Sequence, residues 1–352
     1  MKTFFFLSGA IILLFLPFPY KAYAQRRTAQ AVKTGNPRAA STPEISWQKT
    51  SFPSEVDTFT AHLAINSSGH IFVGTGNGIY RSMDNGTSWT PINNGLKANS
   101  SGTLTAFALA INSSGHVFAA IWDQVYLSTD NGNNWTQQSH FGDGNGAFAL
   151  AISADGHIFA GTGEGVYCST DNGVTWTARN LGLIRDGDDR NGVYSIAINP
   201  NEDIFWGTFD GVYRSTDNGN HWKHILDFGG GNNAHVLAAI SKGLVFVQMS
   251  QNARLPQGTE GVYRSTNNGE RWTRINVDGA DVMALNSGGH IFRGTRSGVY
   301  RSTNNGVSWT KISKGLVLSK DKLTDKIVSA LAISPNGIMF AVTPAGVFRS
   351  QL

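Results

Sequence analysis

An all-β fold, a single seven-bladed propeller of four-stranded antiparallel blades, is what this 352-residue sequence predicts. Three observations predict it. An eight-residue phrase of the form Ser-x-Asp-x-Gly-x-x-Trp recurs six times, at residues 82–89, 128–135, 169–176, 215–222, 265–272 and 302–309. Its tryptophans, with Trp47 ahead of them, stand 42, 46, 41, 46, 50 and 37 residues apart, the period of a propeller blade. Finally, the last repeat stops after three strand-like segments, while residues 45–51 form a lone strand-like piece before the first repeat, so an N-terminal strand is expected to complete the last blade.

Within a repeat, residues 148–176 show the pattern: FALAIS, ADG, HIFAGT, GEG, VYCST, DNGVT and then the tryptophan segment. Each apolar piece has strand length and each break is rich in Gly, Asn, Asp or Ser, which gives an antiparallel meander of strands A to D. The A strands are expected at 61–65, 107–111, 148–152, 194–198, 235–240, 281–285 and 329–333. They are apolar on both faces, as strands enclosed at the centre should be, whereas the D segments are short and polar, as an outer edge should be.

Residues 1–24 carry Lys2, an apolar run at 4–16 and then Ala22-Tyr23-Ala24, the order of a secretory signal peptide with cleavage before Gln25. Residues 25–44 hold four basic and few large apolar residues and are expected to be a disordered linker, leaving residues 45–352 as the propeller. No membrane span is expected after cleavage, and the location is secreted, extracellular or periplasmic. From residue 45 onward, 22 basic residues face 23 acidic ones, a balance that argues against a nucleic-acid partner. Cys168 is the sole cysteine, so stability rests on packing rather than on an internal disulfide, and a monomer is expected.

The repeated phrase resembles the Asp-box, or BNR, repeat of sialidases, sortilin-type receptors, xyloglucan-degrading hydrolases and photosystem II assembly propellers. Asn267 and Asn304 stand where the other copies have Asp84, Asp130, Asp171 and Asp217. The resemblance implies a structural role for these six residues, on the face away from an active site. Physically, the phrase suits a tight C–D hairpin. The carboxylate or amide accepts backbone N–H groups, Gly takes a positive φ and Trp fills the gap between blades. His70, His116, His157 and His290 belong to A–B turns on that same face and lack the clustered spacing of metal ligands, and no metal or cofactor is expected. Asp186, Asp188 and Asp189 lack the later Glu of a calcium loop.

In a meander the B–C turns and D–A connections share the other face, where function is to be sought. Aligned on the Gly-Val-Tyr that follows each B–C turn, consecutive repeats carry Asp123, Glu164, Asp210 and Glu260, with Trp122 and Phe209 one position earlier in two of them. Arg254, in a long B–C loop, and Arg296 complete the candidate ligand-binding rim. Trp122 and Trp206 are the tryptophans outside the D positions. Aromatic faces beside carboxylates suit sugars, and carboxylate pairs run glycoside hydrolysis. A sialidase would need an arginine triad and a tyrosine nucleophile, yet tyrosines such as Tyr80, Tyr167 and Tyr300 fall within C strands. Because the repeats carry little beyond the scaffold, the expectation is a non-enzymatic module that binds a protein or glycan. The alternative is a glycoside hydrolase or sialidase-like enzyme using Asp123, Glu164, Asp210 or Glu260.

Overall fold

The computed structural model forms seven four-stranded antiparallel sheets, and it describes residues 45–58, 61–138, 146–183, 193–208, 211–227, 234–240, 243–249, 260–276, 282–319 and 327–351. The expected signal peptide and linker lie outside the described residues.

Strand β1 (Ser46–Lys49) comes first. Blade 1 follows as β2 (His62–Ile65), β3 (Ile71–Thr75), β4 (Gly78–Ser82) and β5 (Thr90–Pro91). In blade 2 the strands are β6 (Ala106–Ile111), β7 (Val117–Ile121), β8 (Gln124–Ser128) and β9 (Thr136–Gln137). Blade 3 holds β10 (Ala147–Ile152), β11 (Ile158–Thr162), β12 (Gly165–Ser169) and β13 (Thr177–Ala178). Next, blade 4 is built from β14 (Val193–Ile198), β15 (Ile204–Thr208), β16 (Gly211–Ser215) and β17 (Lys223–Asp227). Blade 5 has β18 (Ala234–Ala239), β19 (Val245–Met249), β20 (Gly261–Ser265) and β21 (Thr273–Asn276). Blade 6 runs through β22 (Val282–Leu285), β23 (Ile291–Thr295), β24 (Gly298–Ser302) and β25 (Thr310–Lys311). Blade 7 has β26 (Ala330–Ile333), β27 (Met339–Thr343) and β28 (Gly346–Gln351), and β1 pairs with β28 as its fourth strand.

The A strands touch one another in succession, β2, β6, β10, β14, β18, β22, β26 and back to β2, so they surround the axis. Apolar on both faces, these strands are expected from the sequence to be sandwiched at the centre. Instead most of their residues are half-exposed, and it is the B strands β3, β7, β11, β15, β23 and β27 that are buried at every position. The reason is topological. An A strand has an unpaired edge on the axis, whereas a B strand is paired on both edges and covered on both faces by neighbouring blades.

At the second position of each B strand stands a phenylalanine: Phe72, Phe118, Phe159, Phe205, Phe246, Phe292 and Phe340, none more than 3 % exposed. Each pairs across the sheet with an A-strand alanine, from Ala64 opposite Phe72 to Ala332 opposite Phe340. Small residues near the axis and large ones further out fit the taper of a radial array. Burying each ring contributes roughly 2 to 3 kcal/mol before entropy is counted.

The six repeated phrases make C–D turns of one design. In the first, the Ser82 hydroxyl donates to Asp84 Oδ1 at 2.8 Å and accepts the Gly86 N–H at 2.8 Å, while Asp84 Oδ1 accepts the Ser88 N–H at 2.9 Å. The same bonds recur around Asp130, Asp171, Asp217, Asn267 and Asn304. As expected the glycines have positive φ, but so do the asparagines before them, Asn85 to Asn305, at 54 to 59°. Asn tolerates the left-handed region better than other side chains, which is why all six copies carry it. Gly86, Gly219 and Gly306 lie against Phe340, Phe159 and Phe246 of the preceding blade, so the turn also seats one blade on the next.

Protonation should loosen these turns. Hydrogen bonds from the Ser88 hydroxyl and amide hold Asp84 down at about 2, and those from Asn134 and Thr175 lower Asp130 and Asp171. At Asp217 burial pushes upward but is outweighed by bonds from His221, which bring it to about 2. A folded value below the ordinary 3.8 means stability that is present above pH 4 and lost as pH falls towards 2. Calorimetry from pH 5 to 2 should therefore show a steep fall in Tm. A variant with all four aspartates changed to Asn, the residue that already serves at 267 and 304, should show a shallower one; an unchanged slope would refute the assignment.

Candidate ligand-binding rim on the B–C and D–A face

Five B–C turns are built alike. Thr75, Thr162, Thr208, Thr295 and Thr343 each close the turn by donating from Oγ1 to the carbonyl of a glycine three residues on, at 2.9 to 3.4 Å. Those glycines, together with Gly261 of blade 5, have φ between 105 and 139°, which side-chain-bearing residues rarely adopt. Blade 2 breaks the rule. It has Ile121 in place of Thr and Gln124 in place of Gly, and the positive φ moves to Trp122, at 55°. A non-glycine residue held there stores strain, which persists where the surroundings over-determine it.

The surroundings of Trp122 do so. Its Nε1 donates to the Thr103 carbonyl at 3.1 Å. Thr103 sits in a tight turn whose Asn99 Oδ1 accepts from the Ser101 and Thr103 amides and the Thr103 hydroxyl, at 2.9 to 3.0 Å. The indole meets Phe107 edge-on at 5.4 Å, and Phe107 meets Phe148 edge-on at 5.9 Å. Trp122, Phe107 and Phe148 are all half-exposed, so an aromatic cluster spans the start of β6 and β10 at the rim of blades 2 and 3. Asp123, beside Trp122, and Glu164, at the same turn position of blade 3, are both exposed.

Of the residues expected at the rim, Trp122, Asp123 and Glu164 thus fall on adjacent blades. Glu260 is half-buried just before β20 of blade 5 and Arg296 is exposed on blade 6, remote from that pair in ring order. Phe209, Asp210 and Arg254, and the charged connections at 184–190 and 320–326, lie outside the described residues. Trp206 is no rim residue. It is fully buried and packs edge-on against Trp222 at 4.5 Å, between blades 3 and 4. Phe107 and Phe148 were missed, although the repeated AFALAI at 106–111 and 147–152 was a visible signal. Among the described residues no group of His, Cys, Asp and Glu is placed to hold a metal, and no helix is long and apolar enough to cross a membrane.

The family model for the DUF6242 beta propeller domain matches residues 41–193, less than half of the chain. No curated protein matches it. Among solved structures, the extracellular domain of BT4673 from B. thetaiotaomicron has a TM-score of 0.67 and 14% identity, covering 87% of this chain and 40% of that one. The chain therefore spans two fifths of the BT4673 domain that it matches. Virginiamycin B lyase from Staphylococcus aureus follows with a TM-score of 0.66 at 12% identity, covering 88% of this chain and 100% of the other. YCF48 bound to D1 peptide gives 0.63 at 12% identity, covering 89% and 96%. At such identities the likeness is one of fold, and it establishes a β-propeller.

Proposed function

We propose that this protein is an exported, non-enzymatic propeller that binds a protein or glycan through blades 2 and 3 of its B–C and D–A face. One observation carries the reading: the single B–C turn with neither Thr nor Gly at its ends presents a strained, hydrogen-bonded Trp122 beside an exposed Asp123. Rigid aromatics on a fixed scaffold are the usual anchors of recognition. The exposed state of Asp123 and Glu164 favours binding over hydrolysis, because a glycosidase acid is shielded from water to keep its proton. The fold itself decides nothing here, since one neighbour is a lyase and another is described with a bound peptide. The export signal read at residues 1–24 and the likeness of the repeated phrase to the Asp-box support an exported scaffold.

Peptide and glycan arrays, run beside a panel of chromogenic glycosides, test this. Trp122→Gly relieves the strained φ and should leave Tm within a few degrees, while removing an anchor should weaken capture by roughly 30-fold or more. Asp123→Ala should weaken it as well. Glycoside turnover that disappears in Asp123→Ala would replace binding with hydrolysis.

A further inference from the structure

A concavity lies at the end of the axis opposite the Trp122 rim, on the face of the C–D turns. There the A–B turns of blades 6, 7 and 1 border an open depression of about 300 Å³, a volume at the lower end for small-molecule sites. Its floor is apolar: Ile65, Leu285 and Ile333, the last residues of β2, β22 and β26.

The polar groups of the wall are largely spent within the fold. Asn66 Oδ1 accepts the Ser68 and His70 N–H groups at 3.1 and 2.9 Å, and its Nδ2 donates to Asn131 at 3.1 Å. Ser334 bonds its own turn at Asn336 and at the Ile338 carbonyl, and Asn286 Oδ1 accepts the His290 N–H at 2.9 Å. The hydroxyls of Ser67 and Ser287 stand exposed at the turn tips. No lining residue is ionisable, so a charged guest would lose hydration without gaining a counter-charge.

Elsewhere on this face the turns of blades 3 and 4 are strapped together, the Glu202 carboxylate accepting the Ala154 N–H at 3.3 Å.

We infer that this mouth is a second binding site, for a small uncharged ligand with an apolar ring and one or two hydrogen-bonding oxygens. It is independent of the rim around Trp122. The test is methyl NMR of the purified protein titrated with cyclohexanol, with cyclohexylammonium and cyclohexanecarboxylate as matched charged probes. Cyclohexanol should shift the methyls of Ile65, Leu285 and Ile333 saturably, and each charged probe should bind at least tenfold more weakly. Ser287→Trp, at an exposed tip, should abolish the shifts, while Ser113→Trp, the same place in blade 2, and Trp122→Gly should keep them. Absent shifts at those methyls, equal binding of a charged probe, or binding undiminished in Ser287→Trp would each overturn the site.

Discussion

Replacing Trp47 by alanine should lower Tm by about 5 to 8 °C, from a loss of roughly 3 to 5 kcal/mol in a body of this size. Trp47 is 5 % exposed and shares one apolar cluster with Phe348, Ile312 and Phe292. Its Nε1 donates to the Ile312 carbonyl at 2.6 Å and its amide to the Lys314 carbonyl at 2.7 Å, both in blade 6. Meanwhile β1 pairs with β28 from Ser46 opposite Gln351 to Lys49 opposite Phe348. One side chain thus ties the head of the ring to its tail and to the blade beside it. Trp135, Trp222 and Trp272 make the corresponding indole bond to the preceding blade at 2.6, 2.7 and 3.1 Å, but each does so within a continuous run of chain. Thermal denaturation checks the effect against Thr310→Ala, an exposed D-strand control. Equal losses in the two variants would show that the ring holds without the latch.

Gly182→Ala should cost about 4 kcal/mol, far more than a glycine in a connection usually does. The residue has φ +92°, and a Cβ there would stand 2.4 Å from the Trp222 carbonyl oxygen, a backbone atom that cannot swing aside. Gly95 and Gly315 meet the carbonyls of Trp135 and Trp47 in the same way, at 2.2 and 2.3 Å. In all three places the chain leaving one D strand is hydrogen-bonded to the tryptophan amide of the next blade, from Asn94, Leu181 and Lys314. Gly156 provides the control, since it has φ +88° with nothing within 4 Å of a built Cβ. Gly156→Ala should then lose only the conformational part, about 1 kcal/mol. Urea midpoints for the two variants measure the difference, and similar values would mean that the close approach carries no weight.

Blade number, strand order and closure were legible because tryptophan spacing and Gly/Asn breaks are local features repeated seven times over. What escaped was the contact between repeats. The Gly-Leu pairs at 95–96, 182–183 and 315–316 are plain in the sequence, but their reason is the backbone of a distant tryptophan, Trp135, Trp222 and, from the other end of the domain, Trp47. The half-exposed A strands were misjudged because an apolar segment reads the same whether it faces a neighbour or an axial opening. At the candidate rim, alignment of the repeats singles out Trp122 and Asp123, and the departure at Ile121 and Gln124 that marks their turn is equally visible. Phe107 and Phe148 were not connected to it, because they belong to successive A strands and meet only through the curvature of the ring.

Division of labour between the two faces can be measured in one set of samples, by recording Tm and capture of the best array ligand for Asp84→Ala, Asp171→Ala, Trp122→Gly and Asp123→Ala. The expected result is a double dissociation: the C–D turn variants melt several degrees lower and bind as before, while the rim variants melt near the parent and lose the ligand. Folded C–D turn variants that no longer bind, or rim variants that bind as before, would contradict a recognition site built on blades 2 and 3.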